Sequence, residues 1–312
     1  MTIKALAIIT NNQSTQNRNN TEWLHTIIMD HKWIHHFTID DHSQMVKVIR
    51  SCAERSINTI MINGGDGTIG LVLSALLNDA PYRTPPPLVI LPSGKTNMTA
   101  GSWSLKNNSK QDLELFLKRY SKGILDQTTV SRNILTIHEE NQEPKHGAFF
   151  GSADIVEGIL YCRKYIYPMG LPNSISHVLS IAALLTRAVM NNNASNIVQT
   201  VDSANNWREE AIFFALVLTT MDKLLLGIEC KTSQGQGPIN YMSLKPGFMS
   251  IFAAAPHMIK QRLVSGYNRI VRNSRSITLS FDGHYTLDGE IYLANKTKPL
   301  TITSNHVLRF IQ

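Results

Sequence analysis

The chain reads as an α/β protein: a parallel α/β domain followed by a mostly antiparallel β domain. Three observations predict this. Apolar, β-branched runs alternate with helical runs through the first hundred residues, which is the rhythm of βαβ units. Two glycine-containing loops, Gly64-Gly65-Asp66-Gly67-Thr68 and Pro92-Ser93-Gly94-Lys95-Thr96-Asn97, each follow such a strand. From Asp126 onward, short strand-like pieces separated by polar turns replace the alternation.

Ile3–Ile9, with Ile3, Leu6, Ile8 and Ile9, is the first strand. A polar loop, Thr10 to Asn20, leads to a helix from Thr21 whose apolar set is Trp23, Leu24, Ile27 and Ile28. A strand near Trp33–Ile39 precedes a helix begun by an Asp41 or Ser43 cap. Strand Ile57–Ile62 runs into the first glycine loop and a helix over Ile69–Leu77. A proline-rich connector, Pro81 to Pro87, precedes strand Leu88–Leu91, and a helix over Gln111–Tyr120 ends near Gly123. The later strand-like pieces are Asn133–His138, Gly147–Ser152, Ile212–Thr219, Leu224–Lys231, Phe248–Ala254, Ile277–Phe281 and Tyr285–Leu287. One helix-like insert spans Ser176–Met190, and Leu300–Ile311 alternates in a way that suits either domain.

At 312 residues, with 43% hydrophobic and 17% charged residues, the chain has the balance of a globular protein with room for two cores. Cys52, Cys162 and Cys230 are scattered, which points to a reducing compartment rather than a disulfide framework or CxxC metal site. The first ten residues lack a cleavable-signal pattern, and no apolar run reaches transmembrane length. A net charge of +7 permits attraction to anionic lipid or nucleotide phosphates. Nucleic acid is not an expected partner, since basic residues and aromatics form no interleaved stripe and no zinc-finger spacing occurs. The histidines, His31, His35 and His36 among them, show no metal spacing.

A strand ending in glycines and one carboxylate, then opening a helix, outlines a phosphate site. Glycine lets backbone approach an anion and adopt φ > 0, and the helix start directs unpaired N–H groups at it. Gly64, Gly65, Gly67 and Thr68 are the candidate phosphate contacts. Asp66 would hold Mg²⁺, hold water on Mg²⁺, or orient the loop. The second loop is not a Walker A motif, because Val89 stands where the first glycine belongs. Gly94, Lys95, Thr96 and Asn97 are expected to make a second phosphate or nucleoside contact. Asp288-Gly289-Glu290 places two carboxylates around a glycine, on one side of the chain if it is extended. One could accept a hydroxyl proton while the other binds metal or orients its partner. A hairpin turn with solvated acids is the plainer reading of that spacing, as for Asp282-Gly283 nearby.

Gly64–Thr68, followed by the loop with Pro92, Gly94, Lys95 and Asn97, resembles the diacylglycerol kinase catalytic family of lipid kinases. That superfamily includes sphingosine and ceramide kinases and, more distantly, NAD kinases. The opening segment Asn11-Asn12-Gln13-Ser14-Thr15, with Asn17-Arg18 after it, is similar to the family's first phosphate loop, and Asp288-Gly289-Glu290 to its late acidic motif. The sequence departs at Lys95 in place of Thr, at Met98-Thr99 in place of Asp-Phe, and in an opening loop without Pro or Gly.

The resemblance implies a Rossmann-like N-terminal domain over 1–125, joined by the C-terminal segment 296–312. A β-sandwich over 126–295 would complete the chain, with the active site in the cleft between the domains. It also implies transfer of the γ-phosphoryl of ATP to the hydroxyl of diacylglycerol or a relative, with Mg²⁺. In that scheme Asn11 and Ser14 join the nucleotide contacts, Asp66 serves the metal, Asp288 is the base and Glu290 its companion. Gly151-Ser152-Ala153-Asp154 would line the acceptor site. The location that follows is cytoplasmic and peripheral at a membrane, with a homodimer as an option. Two alternatives stand beside it: an NAD-kinase-like phosphotransferase with a soluble acceptor, and a nucleotide-binding protein without catalysis.

Overall fold

A computed structural model describes residues 5–18, 22–94, 97–103, 109–124, 128–153, 156, 160, 165, 197–224, 227–229, 232 and 234–312. Contacts divide the chain into two units, Met1–Ile134 with Val307–Gln312, and Leu135–His306.

The first unit carries the expected alternation: β1 (Leu6–Asn11), α1 (Glu22–Met29), β2 (Ile34–Ile39), α2 (Met45–Glu54), β3 (Thr59–Gly64), α3 (Asp66–Asn78), β4 (Leu88–Pro92), α4 (Met98–Trp103) and α5 (Lys110–Ser121). The strands pair in parallel in the order β2-β1-β3-β4, and Phe310 extends the sheet beside Leu88. Every residue of β1, β3 and β4 is buried, as a parallel sheet covered on both faces requires. Leu6, Ile8, Met61 and Val89 share one core with Leu24 of α1, Phe116 and Tyr120 of α5, and Ile311. Ahead of α2, Asp41 closes a capping box with Gln44, its carboxylate accepting from Ser43 N at 2.8 Å. Helix α3 starts three residues earlier than the apolar pattern implies, because Asp66, Gly67 and Thr68 are themselves its first turn.

The second unit is an antiparallel sandwich. Its strands are the end of β5 (Thr129–His138), β6 (Lys145–Gly147), β7 (Phe149–Ala153), β8 (Val198–Asp202), β9 (Trp207–Ala211), β10 (Ala215–Thr219) and β11 (Ile239–Leu244). After helix α6 (Phe248–Ile259) come β12 (Arg269–Ser274), β13 (Ser276–Ser280), β14 (Gly283–Leu287), β15 (Glu290–Ala294) and the first part of β16 (Leu300–Ile311). One sheet runs β12-β11-β10-β7-β14-β15, and the other sequence of neighbours is β16-β13-β8-β9. Phe150, Leu218, Tyr241 and Tyr285 from the first share a core with Val198, Ile277, Leu279 and Ile302 from the second.

Two expectations for this unit are corrected. Phe248–Ala254 is not a strand but the start of α6, which follows the Pro246-Gly247 turn. Its continuous apolar run fits either state, and the three alanines, Ala253 to Ala255, favour a helix. Of Leu224–Lys231, residues 225, 226, 230 and 231 lie outside the described residues, and the others form no strand: Leu224 N donates to Ile228 O at 2.8 Å. Strands β6, β8, β9, β11, β12 and β15 are additions to the sequence reading. The insert expected at Ser176–Met190 lies outside the described residues. Among those described, no helix is long and apolar enough to cross a membrane.

Candidate functional site

In the first unit the strand order itself marks a place. β1 has β2 on one side and β3 on the other, so the connections leaving β1 and β3 part at their carboxyl ends. Doubly wound sheets bind ligands at such a switch point. The loop after Asn11 and the loop after Gly64 both start there, and β4 brings the Ser93-Gly94 turn alongside through the Gly64–Pro92 pairing.

These strand ends are polar although the strands are buried. Asn11 donates from Nδ2 to Thr68 Oγ1 at 2.8 Å, tying the opening loop to the first turn of α3. Asn17 folds back and donates to Asn11 O at 2.9 Å and to Asn63 O at 3.1 Å. Asn63 donates to Thr10 Oγ1 at 3.2 Å and accepts from Ser93 Oγ. His36 contacts Thr10 Oγ1 from β2 at 2.9 Å, and burial, with His25 close by, lowers its pKa to about 4. Ser14 is buried at the centre of the opening loop, where its carbonyl accepts from Asn17 N and Arg18 N. Asn17, Asn63 and Ser93 were not singled out as site residues from sequence. A polar side chain at the end of an otherwise apolar strand was the available signal, since a buried polar group needs a partner.

The glycines work differently from the sequence expectation. Gly65 has φ −93° and ψ −175°, and none of Gly64, Gly65, Gly67 and Gly94 is in the left-handed region. They are small because backbones meet. A Cβ on Gly94 would lie 2.6 Å from Gly65 Cα, and one on Gly64 would lie 2.6 Å from Thr68 Cβ. The left-handed residue of the second loop is Asn97, at φ 49°. Its side chain accepts from Gly94 N and donates to Gly94 O, both at 2.8 Å, closing the turn. Lys95 and Thr96 lie outside the described residues.

Asp66 joins the two loops. Its Oδ2 accepts from Met98 N at 3.1 Å and its Oδ1 from Thr99 N at 2.9 Å, so the carboxylate caps α4. Burial raises its pKa, while the two N–H donors pull the other way. Loop orientation is thus the role its contacts display. Gly65, the N-cap of α3, gives that helix no side-chain cap, so its first N–H groups face outward without one. Opposed glycines, an uncapped helix start and one carboxylate make a corner suited to phosphate oxygens. The donor set also fits a hard cation. Mg²⁺ is commonly held by one or two carboxylates together with waters and phosphates, and both Asp66 oxygens already accept an N–H, which favours contact through water.

The second unit holds the other acidic motif. Leu287 and Glu290 pair across β14 and β15, leaving Asp288 and Gly289 as a two-residue turn with φ 48° and 86°. Positive φ at both positions is the type I′ signature, so the two acids do not share the side of an extended chain. Asp288 is nonetheless buried, not solvated. Its Oδ1 accepts from Phe149 N at 2.9 Å and its Oδ2 from Ala148 N at 2.9 Å, and its own N–H donates to Phe149 O. Gly147 must lack a side chain here, because a Cβ would collide with Asp288 Oδ2. Glu290 is half-buried at the start of β15. Gly151 and buried Ser152 lie inside β7, Ala153 ends it at φ 69°, and Asp154 lies outside the described residues.

Residues 5–125 match the family model of the diacylglycerol kinase catalytic domain. The match supports a kinase family. It is the same diacylglycerol kinase family that the two glycine loops resemble. Two solved structures, each titled a provisionally named diacylglycerol kinase from Bacillus anthracis str. Sterne, share the fold at 15% identity, with TM-scores of 0.65 and 0.66, covering 100% of this chain and 98% of theirs. A third, a diacylglycerol kinase of the same organism, gives 13% identity and a TM-score of 0.62, covering 100% and 97%. A comparison with curated protein sequences finds no match.

Proposed function

We propose that this protein is an ATP-dependent lipid kinase that transfers the γ-phosphoryl group to the hydroxyl of diacylglycerol or a related lipid. The observation that carries the reading is the corner at the β1–β3 switch point. There Gly65 and Gly94 meet backbone to backbone, and Asp66 fixes the second loop beside the uncapped start of α3. In this reading the N–H groups of Gly67 and Thr68 face the nucleotide phosphates, with Asn11, Ser14, Gly64 and Asn97 holding the loops around them. Lys95 and Thr96 add a cation and a hydroxyl. Mg²⁺, when bound, offsets charge on the phosphates, and Asp66 would hold it through water. Asp288 takes the proton of the acceptor hydroxyl and Glu290 assists. A cytoplasmic location with peripheral membrane contact belongs to the same reading, and a homodimer is compatible with it.

Labelled ATP and a total lipid extract should give a phosphorylated lipid. Asp66→Asn replaces one accepting oxygen with an amide that opposes an N–H. Displacing the loop should cost about a hundredfold in transfer and raise KM for ATP, while the protein stays folded with a stability lower by about 1–3 kcal/mol. Wild-type turnover in that variant would remove Asp66 from the site. ATP binding without any phosphorylated lipid from the wild-type protein would favour the non-catalytic alternative.

A further inference from the structure

Helix α6 shows apolar side chains to solvent. Among its described side chains, Ser250 and Ala254 are buried, and Ser250 Oγ accepts from Asn268 Nδ2 at 3.0 Å. Arg269, also buried, anchors the helix by donating to Ala253 O at 3.3 Å. Two large apolar side chains face solvent. Met249 is 61% exposed and Phe252 65%, and with exposed Pro256 they follow the i, i+3, i+7 spacing of a single helical stripe. Lys260, just past the helix, continues that stripe, and Tyr267, 63% exposed, stands next to Asn268, the residue bonded to Ser250. A contiguous stripe of exposed apolar side chains on one helix marks a docking face.

Charge identifies the occupant. Residues 230–281 contain seven of the 30 Lys and Arg residues and none of the 23 Asp and Glu residues. This one segment therefore equals the +7 net charge of the whole chain, and the remainder is neutral. Lys260, Arg262 and Arg275 are exposed, and Lys245 keeps 41% of its side chain in solvent while its ammonium lies 3.5 Å from Glu209. The acid bordering the patch is Glu229, whose backbone bonds Gln261 and whose carboxylate is engaged by Lys223 at 3.8 Å. Exposed apolar side chains with Lys245, Lys260 and Arg262 close by in the chain fit a membrane carrying anionic headgroups, where apolar contact and charge attraction add.

We propose that the outer face of α6, through Met249, Phe252 and Tyr267 with Lys260 and Arg262, docks the protein on an anionic lipid surface. The inference rests on the lipid-kinase reading only for its purpose: it assigns the face through which an acceptor held in a membrane is met. The test is sedimentation of the full chain with phosphatidylglycerol-rich vesicles and with pure phosphatidylcholine vesicles. Binding should be confined to the anionic vesicles and weaken as salt is raised. Phe252→Asp should weaken it about tenfold, and Lys260→Ser and Arg262→Ser about fivefold each. All three variants should keep wild-type phosphorylation of acceptor dispersed in neutral detergent, which needs no docking. Unchanged vesicle binding in Phe252→Asp overturns the proposal, as does equal binding to both vesicle types. Concentration-dependent self-association lost in Phe252→Asp, without vesicle binding, would instead assign the face to a second copy of the chain. Vesicle binding without phosphorylation of any lipid would overturn the kinase reading and leave the docking face standing.

Discussion

Gly65 and Gly94 are the residues on which the candidate nucleotide corner turns, and the reason is contact rather than flexibility. With 2.6 Å between a Cβ on Gly94 and the Gly65 backbone, Gly94→Ala must push the two loops apart. We expect it to cost about 1–3 kcal/mol in urea unfolding and to weaken ATP binding in calorimetry. Full affinity in Gly94→Ala would show that the loops close without this contact. Asp66 stood out in the sequence because a lone acid among glycines has few structural uses. Its partners, Met98 N and Thr99 N, did not, since a carboxylate reaching a backbone 32 residues away leaves no local pattern. The same holds for Asn63 and Ser93, whose pairing depends on the register of β3 against β4.

At the level of elements, the β14–β15 hairpin shows how one motif can satisfy two descriptions. Asp288-Gly289 is a type I′ turn by its dihedrals, yet its acid points into protein and ties down the β6–β7 connection. Asp288→Ala leaves the N–H groups of Ala148 and Phe149 without that acceptor, and should lower stability by about 2 kcal/mol or more in chemical denaturation. An unaltered midpoint would mean that the connection holds itself. The parallel elements were legible because covered strands are apolar throughout and each is followed by a helix with its own period. The sandwich strands were less so. β9 and β12 mix charges into short segments at sheet edges, and an apolar run such as Phe248–Ile259 has no period to separate helix from strand.

For the molecule as a whole, each unit holds a histidine whose proton is unwelcome. His36 in the first unit and His146 in the second both have pKa values lowered from 6.5 to about 4, chiefly by desolvation. His25 adds to the shift at His36, and His306 and His138 add to it at His146. A lowered imidazole pKa means that the neutral form is the one the fold prefers. Its stabilisation is intact above pH 6.5 and is lost as pH falls through about 4. Melting temperatures measured from pH 7 down to pH 4 should fall through that window, and His146→Gln should flatten the decline. A profile unchanged by that substitution would place the acid sensitivity elsewhere. The order in which the chain is made has a consequence of its own. Phe310 lies tilted against Trp103 and Ile311 sits in the core with Leu6 and Leu113, yet both are translated some 200 to 300 residues after those partners. The N-terminal unit, first to leave the ribosome, therefore waits with part of its interior open until 307–312 emerge, and a nascent chain arrested before that point exposes an unfinished sheet edge to its surroundings.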